Sequence, residues 1–80
     1  MRARVHVTLR DGVLDPQGEA IRLALGGLGF GGVGSVRQGK VFDIDLEETD
    51  PVAARAAVEA MCDKLLANPV IERYEITLLA

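Results

Sequence analysis

Asp43, Asp45 and Glu47 stand at alternate positions, so on a strand all three carboxylates share one side, an arrangement that could gather a divalent cation. Rows of this kind are ordinarily solvated faces, and nothing nearby completes a ligand set. The single histidine, His6, alternates with Arg4 and Thr8 on the polar side of an opening strand. It has no second histidine, no suitably placed cysteine and no serine or aspartate at a triad spacing, so neither a metal centre nor a nucleophile is expected there. The lone Cys62 lies in a helical apolar pattern with Met61, Leu65 and Leu66, which suits a buried, reduced thiol. Glu72 and Glu75 fall on opposite faces of a strand and make a poor acid and base pair. Gly27, Gly29 and Gly32 satisfy the G-x-G-x-x-G spacing, but they follow a helix and precede an extended stretch. A phosphate cradle needs the reverse order, with the glycines opening a helix, so these read as a helix C-cap and connection with Phe30 as its anchor. No catalytic, cofactor-binding or metal-binding residue is therefore expected.

The elements around these residues can be read from periodicity. Ala3, Val5, Val7 and Leu9 alternate with Arg2, Arg4, His6 and Thr8, the pattern of a strand with one buried face. Asp15-Pro16 then opens a helix, the carboxylate capping free N–H groups and the proline supplying its preset φ, and Asp50-Pro51 repeats the device. The first helix places Ile21, Ala24, Leu25 and Leu28 on one stripe before Gly26, Gly27 and Gly29 loosen it. Val33 to Arg37 and Val41 to Glu47 read as two strands joined in a hairpin at Gln38-Gly39. A second helix runs from Pro51 to about Ala67, stopped by Asn68-Pro69, and Tyr74, Ile76 and Leu78 mark a last strand. The order βαββαβ predicts one α+β domain over residues 1–80, a ferredoxin-like split βαβ. It carries a four-stranded antiparallel sheet with both helices on one face. In that topology the first and third strands are neighbours, so Arg2, Arg4 and His6 lie beside Asp43, Asp45 and Glu47.

Composition narrows the partners. A net charge of −3 and only three aromatic residues, Phe30, Phe42 and Tyr74, give neither the basic field nor the stacking platforms of a nucleic-acid binder. No apolar run reaches the roughly 20 residues of a membrane span, and Met1-Arg2-Ala3-Arg4-Val5 turns straight into a strand, so a cytoplasmic protein is expected. A domain of 80 residues buries only roughly 60% of its unfolded surface, which favours stability borrowed from partners.

One segment exceeds these needs. Arg10-Asp11-Gly12-Val13-Leu14-Asp15-Pro16-Gln17-Gly18 leaves the first strand and opens the first helix with two hydrophobic residues in a loop. Together with Glu19-Ala20-Ile21, Ala24-Leu25, Leu28-Gly29-Phe30 and Val36-Arg37-Gln38-Gly39-Lys40, it resembles the PurS family, small subunits of formylglycinamidine ribonucleotide synthase in purine biosynthesis. The resemblance runs from the first strand to the last and keeps both Asp-Pro pairs; the Gly26 to Gly34 stretch is unusually glycine-rich.

The resemblance implies a non-catalytic subunit of an ATP-dependent, glutamine-using ligase. It would bridge a glutaminase subunit and a synthase subunit, support the passage of ammonia between them, and associate with itself as a dimer or tetramer. No cofactor is expected in this chain, ATP and Mg belonging to the synthase partner. The partner-facing surface is expected at Asp11, Val13, Leu14, Asp15, Gln17 and Gly18, with Arg37, Gly39 and Lys40. An ACT-like ligand-sensing module shares the element order, with Gly12 as its loop glycine, but Asp15-Pro16-Gln17-Gly18 and the lack of an attached enzyme domain argue against it. An acylphosphatase-type enzyme would need an Arg and an Asn around a phosphate loop, and the only Asn, Asn68, ends the second helix.

Overall fold

The computed structural model describes residues 1–79. Strand β1 (Arg2–Leu9) forms because its alternation matches the pleat, and it is the central strand of an antiparallel sheet ordered β2-β1-β3, with β2 spanning Gly39–Asp45 and β3 Glu72–Leu79. Ala3, Val5 and Val7 point to the inner face and are fully buried. The register aligns them with Ile44, Phe42 and Lys40 on one side and with Leu78, Ile76 and Tyr74 on the other.

Helix α2 (Pro51–Met61) covers part of this inner face with Ala54 and Val58, and Cys62 continues the contact. Asp50 caps it, accepting from the Val52 N–H at 3.3 Å, with Pro51 at the first position. The helical pattern continues beyond Met61 in a π-helical turn, Cys62–Leu66, closed where the Ala67 N–H reaches the Cys62 carbonyl at 3.0 Å. Asn68 ends it. Its own N–H donates to Glu72, its side chain accepts from Val70, and its carbonyl accepts from Ile71 and Glu72.

On the outer face the predicted neighbours meet. Arg2 lies opposite Asp45 and Arg4 opposite Asp43, with ion pairs of 3.2 and 2.8 Å. Such exposed pairs select register more than they stabilise. Glu47 lies beyond the end of β2, and His6 sits opposite Val41 and Glu75.

Two expectations fail. The sheet has three strands, not four: residues 33–37 join no strand, and no hairpin forms at Gln38-Gly39. Gly32 and Gly34 flank Val33 and weaken strand formation, while the Gln38 N–H, which a strand would use in its ladder, is taken by the Asp15 side chain. The second failure concerns α1 (Pro16–Gly27), which barely touches the sheet and does not join α2 on the inner face. It extends outward as an arm. The molecule measures 48 × 26 × 14 Å, and its radius of gyration is 16.0 Å, against about 12 Å for a compact chain of this length.

Candidate partner-docking surface

The first helix is tied to the segment before β2 through one carboxylate. Asp15 caps α1, its Oδ1 accepting from the Gly18 N–H at 2.8 Å and its Oδ2 from the Gln38 N–H at 2.7 Å. These backbone donors, that of Gln38 first, and then the nearby Arg37 guanidinium hold the carboxyl below its usual range. Around this clasp, Gln38 Nε2 donates to Gln17 Oε1 at 2.8 Å. Arg37 donates to the Val13 carbonyl at 2.7 Å and to the Arg10 carbonyl at 3.1 Å. Gly18 is required by closeness, since a Cβ there would stand 2.2 Å from the Val36 carbonyl oxygen. Gly12 is required by conformation, at φ +85°, where the loop turns.

These ties bring Asp11 to Gly18 and Arg37 to Lys40, separated in sequence by most of α1 and the stretch after it, into one surface. Its members differ in what they offer. Leu14 is 86% exposed, the most exposed large hydrophobic residue of the described chain. It edges a groove of about 450 Å³ with Pro16, Glu19, Ser35, Val36 and Arg37. Asp11 projects into solvent, 3.9 Å from Arg73. Val13 is half-buried and Gly18 fully buried, so both shape the surface from beneath. Gly39 lies tight against β1, where a Cβ would come within 2.9 Å of the Val7 carbonyl oxygen. Lys40 lies on the inner face and pairs with Glu72 at 3.6 Å, across a cleft of about 240 Å³ shared with Asp15, Gln17 and Gln38. Glu72 and Gln38 were not anticipated for this surface. Gln38 could have been suspected from its place between Arg37 and Gly39, whereas Glu72 arrives only through the pairing of β3 with β1.

The residues that could do chemistry remain dispersed. Asp43 is held below the usual carboxylate range, first by its hydrogen bond to Arg4, whose own pKa is raised in return. Burial pushes the Cys62 thiol upward, away from the thiolate a nucleophile needs. Tyr74 donates to Asp63 at 3.0 Å, and this bond raises its pKa. Gly27 is the last residue of α1, and Gly29 to Gly32 lead on into the unpaired segment, with Gly29 at φ +100°. Among the described residues no group of three or more His, Cys, Asp or Glu is placed to hold a metal ion, and no helix is long and apolar enough to cross a membrane.

What this arrangement offers is a contact surface. Known proteins resemble the chain over nearly its full length. Residues 2–80 match the PurS family profile, described as phosphoribosylformylglycinamidine (FGAM) synthase. The phosphoribosylformylglycinamidine synthase subunit PurS of Synechocystis is 50% identical over 78 residues, covering 95% of this chain and 78% of the relative. That of Archaeoglobus fulgidus is 49% identical over 76 residues, covering 95% of both. Among solved structures, Methanocaldococcus jannaschii PurS superimposes with a TM-score of 0.86 at 47% identity, covering 95% of this chain and 92% of that one. A chain of the Thermotoga maritima PurLQS structure gives 0.88 at 33% identity, covering 98% and 95%. Sequence and fold agree from β1 through β3: the chain belongs to the PurS family, subunits of the FGAM synthase of purine biosynthesis.

Proposed function

We propose that this PurS chain works as a non-catalytic bridge in FGAM synthase, joining a glutaminase subunit to an ATP-dependent synthase subunit so that ammonia passes between them without entering bulk water. The observation that carries the reading is family membership across residues 2–80. Two features support it. A PurS of known structure occurs in an assembly named PurLQS, and Arg2, Arg4, Asp43 and Asp45 are engaged in ion pairs while Asp15 caps a helix. Ammonia released into water would be protonated or lost, so two separate centres gain from a closed junction. ATP and Mg would bind the synthase subunit, and the assembly would work in the cytoplasm.

Docking is assigned to Asp11, Val13, Leu14, Asp15, Gln17 and Gly18 with Arg37, Gly39 and Lys40. Leu14 is the anchor, being large, apolar and exposed beside a groove whose walls are fixed by the Asp15 clasp. The chain also associates with itself, as its exposed apolar residues and two free sheet edges favour. The test is Leu14→Asp. The isolated chain should fold and self-associate as before, while assembly with the two partner subunits weakens at least tenfold. Unchanged assembly would remove this surface as the docking site.

A further inference from the structure

The inner face of the sheet is apolar except at one end. Alternation along β2 and β3 puts Phe42, Ile44, Tyr74 and Ile76 on this face, and the same alternation puts Lys40 and Glu72 there too. The two lie diagonally across β1, Lys40 opposite Val7 and Glu72 opposite Leu9. A charged pair at such a place is a poor stabiliser, since desolvation offsets much of its attraction and apolar side chains of similar volume would extend the core. The fold alone does not account for it.

The pair is also loosely closed. Lys40 Nζ stands 3.6 Å from Glu72 Oε2, beyond the about 2.7–2.9 Å of a tight charge-assisted bond, so both groups keep capacity for a further partner. Glu72 is nevertheless fixed in place, its side chain only 14% exposed and its Oε1 accepting from the Asn68 N–H at 2.7 Å. Between this pair and the start of α1 lies the cleft of about 240 Å³, floored by Val7 and Leu9 and reached by no residue of α2. Its far wall carries two amides. One bond joins them, from Gln38 Nε2 to Gln17 Oε1, and among the described residues it leaves Gln17 Nε2 a free donor and Gln38 Oε1 a free acceptor. Asp15 borders the cleft as well, but its two oxygens are engaged by the N–H groups of Gly18 and Gln38.

These groups together specify a ligand. An ammonium suits Glu72 Oε2 and a carboxylate suits Lys40 Nζ, and the 3.6 Å between those two atoms is close to the separation of the ammonium and carboxylate within an α-amino acid. The free donor of Gln17 and the free acceptor of Gln38 complement a carboxamide, which presents an acceptor oxygen beside a donor nitrogen. We propose that this cleft binds a free α-amino acid as its zwitterion, with a side-chain carboxamide, as in asparagine or glutamine, seated against Gln17 and Gln38. Because Gln38 also closes the Asp15 clasp, an occupied cleft stabilises the junction between α1 and β2.

The test is titration of the ¹⁵N-labelled chain, followed by two-dimensional NMR. Asparagine and glutamine should shift the backbone amides of Gln38, Lys40 and Glu72 with dissociation constants of roughly 1 mM or tighter, and glycine should bind about tenfold more weakly. Acetate, methylammonium and acetamide carry one feature each and should leave those amides unmoved at tens of millimolar. Lys40→Met and Glu72→Gln, the second of which keeps an acceptor for Asn68, should each weaken binding roughly tenfold or more with unchanged far-UV circular dichroism. If either variant unfolds, the map of shifted amides in the unaltered chain decides alone. Shifts confined to other parts of the chain, no shifts with any amino acid, or variants that bind as the unaltered chain does overturn the proposal. Acetate or methylammonium binding as tightly as glutamine also overturns it, by showing a simple ion contact at Lys40 or Glu72.

Discussion

The carboxylate of Asp15 joins two stretches that the sequence separates, capping α1 at Gly18 while its second oxygen receives the Gln38 N–H at 2.7 Å. One side chain thus sets both the start of the arm and the entry into β2. The groove beside Leu14 depends on that junction, because Ser35, Val36 and Arg37 line its far wall.

Acid should loosen this junction. The folded-state pKa of Asp15 lies below the ordinary aspartate value of 3.8, so its contribution to stability is complete above that value and is lost as pH falls through the lower, folded one. Glu19, paired with Arg22, and Asp43, paired with Arg4, add contributions of the same sign in the same window. Denaturation midpoints measured from pH 7 to pH 2 should therefore decline in the acid range, and Asp15→Asn should decline less steeply. Equal slopes for the two proteins would mean that the clasp is not formed in solution.

Two glycines of α1 should respond oppositely to alanine. At Gly18 the added methyl meets the Val36 carbonyl oxygen and must displace it, with a cost of about 1–3 kcal/mol. At Gly26 an added methyl would meet nothing within 4 Å beyond its own helix backbone and chain neighbours, and the gain in helix propensity stabilises the chain by about 0.5–1 kcal/mol. Urea titrations at fixed protein concentration compare the two, and destabilisation by Gly26→Ala would contradict the open setting of that residue.

Cys62 should behave as a core group. It is fully buried beneath α2, and its pKa is raised, so an aromatic disulfide reagent at pH 8 should label it only as fast as the helix opens. Labelling in the folded protein should fall at least a hundredfold below that in denaturant. Rapid reaction would show the π-helical turn to be open. Cys62→Ser, which leaves a hydroxyl in an apolar site, should destabilise by about 1–3 kcal/mol.

Local chemistry accounts for what the sequence made legible. Alternation located β1 and its buried face, the Asp-Pro pairs located both helix starts, and the βαββαβ order set Arg2, Arg4 and His6 beside Asp43, Asp45 and Glu47, of which Arg2 and Arg4 pair with Asp45 and Asp43. The strand expected at Val33 to Arg37 does not form, because a local pattern of apolar residues does not say whether another strand will pair with it. Whether α1 lies on the sheet or leaves it is equally invisible to periodicity, since an apolar stripe reports that a helix will be covered and not by which chain. At the docking surface Leu14 stood out as a hydrophobic loop residue. Arg37 stood out for the same surface, yet the structure commits its donors to Val13 and Arg10, which makes Leu14 the cleaner position to test. The tie between Asp15 and Gln38 spans 23 residues and has no local signature.

The most direct test of the bridging role is reconstitution. FGAM formation by the synthase and glutaminase subunits would be measured with glutamine and, separately, with added ammonia, each with and without this chain. The account predicts that omitting the chain abolishes most glutamine-dependent synthesis while ammonia-driven synthesis falls much less. Glutamine-dependent synthesis at the same rate in its absence would contradict the account.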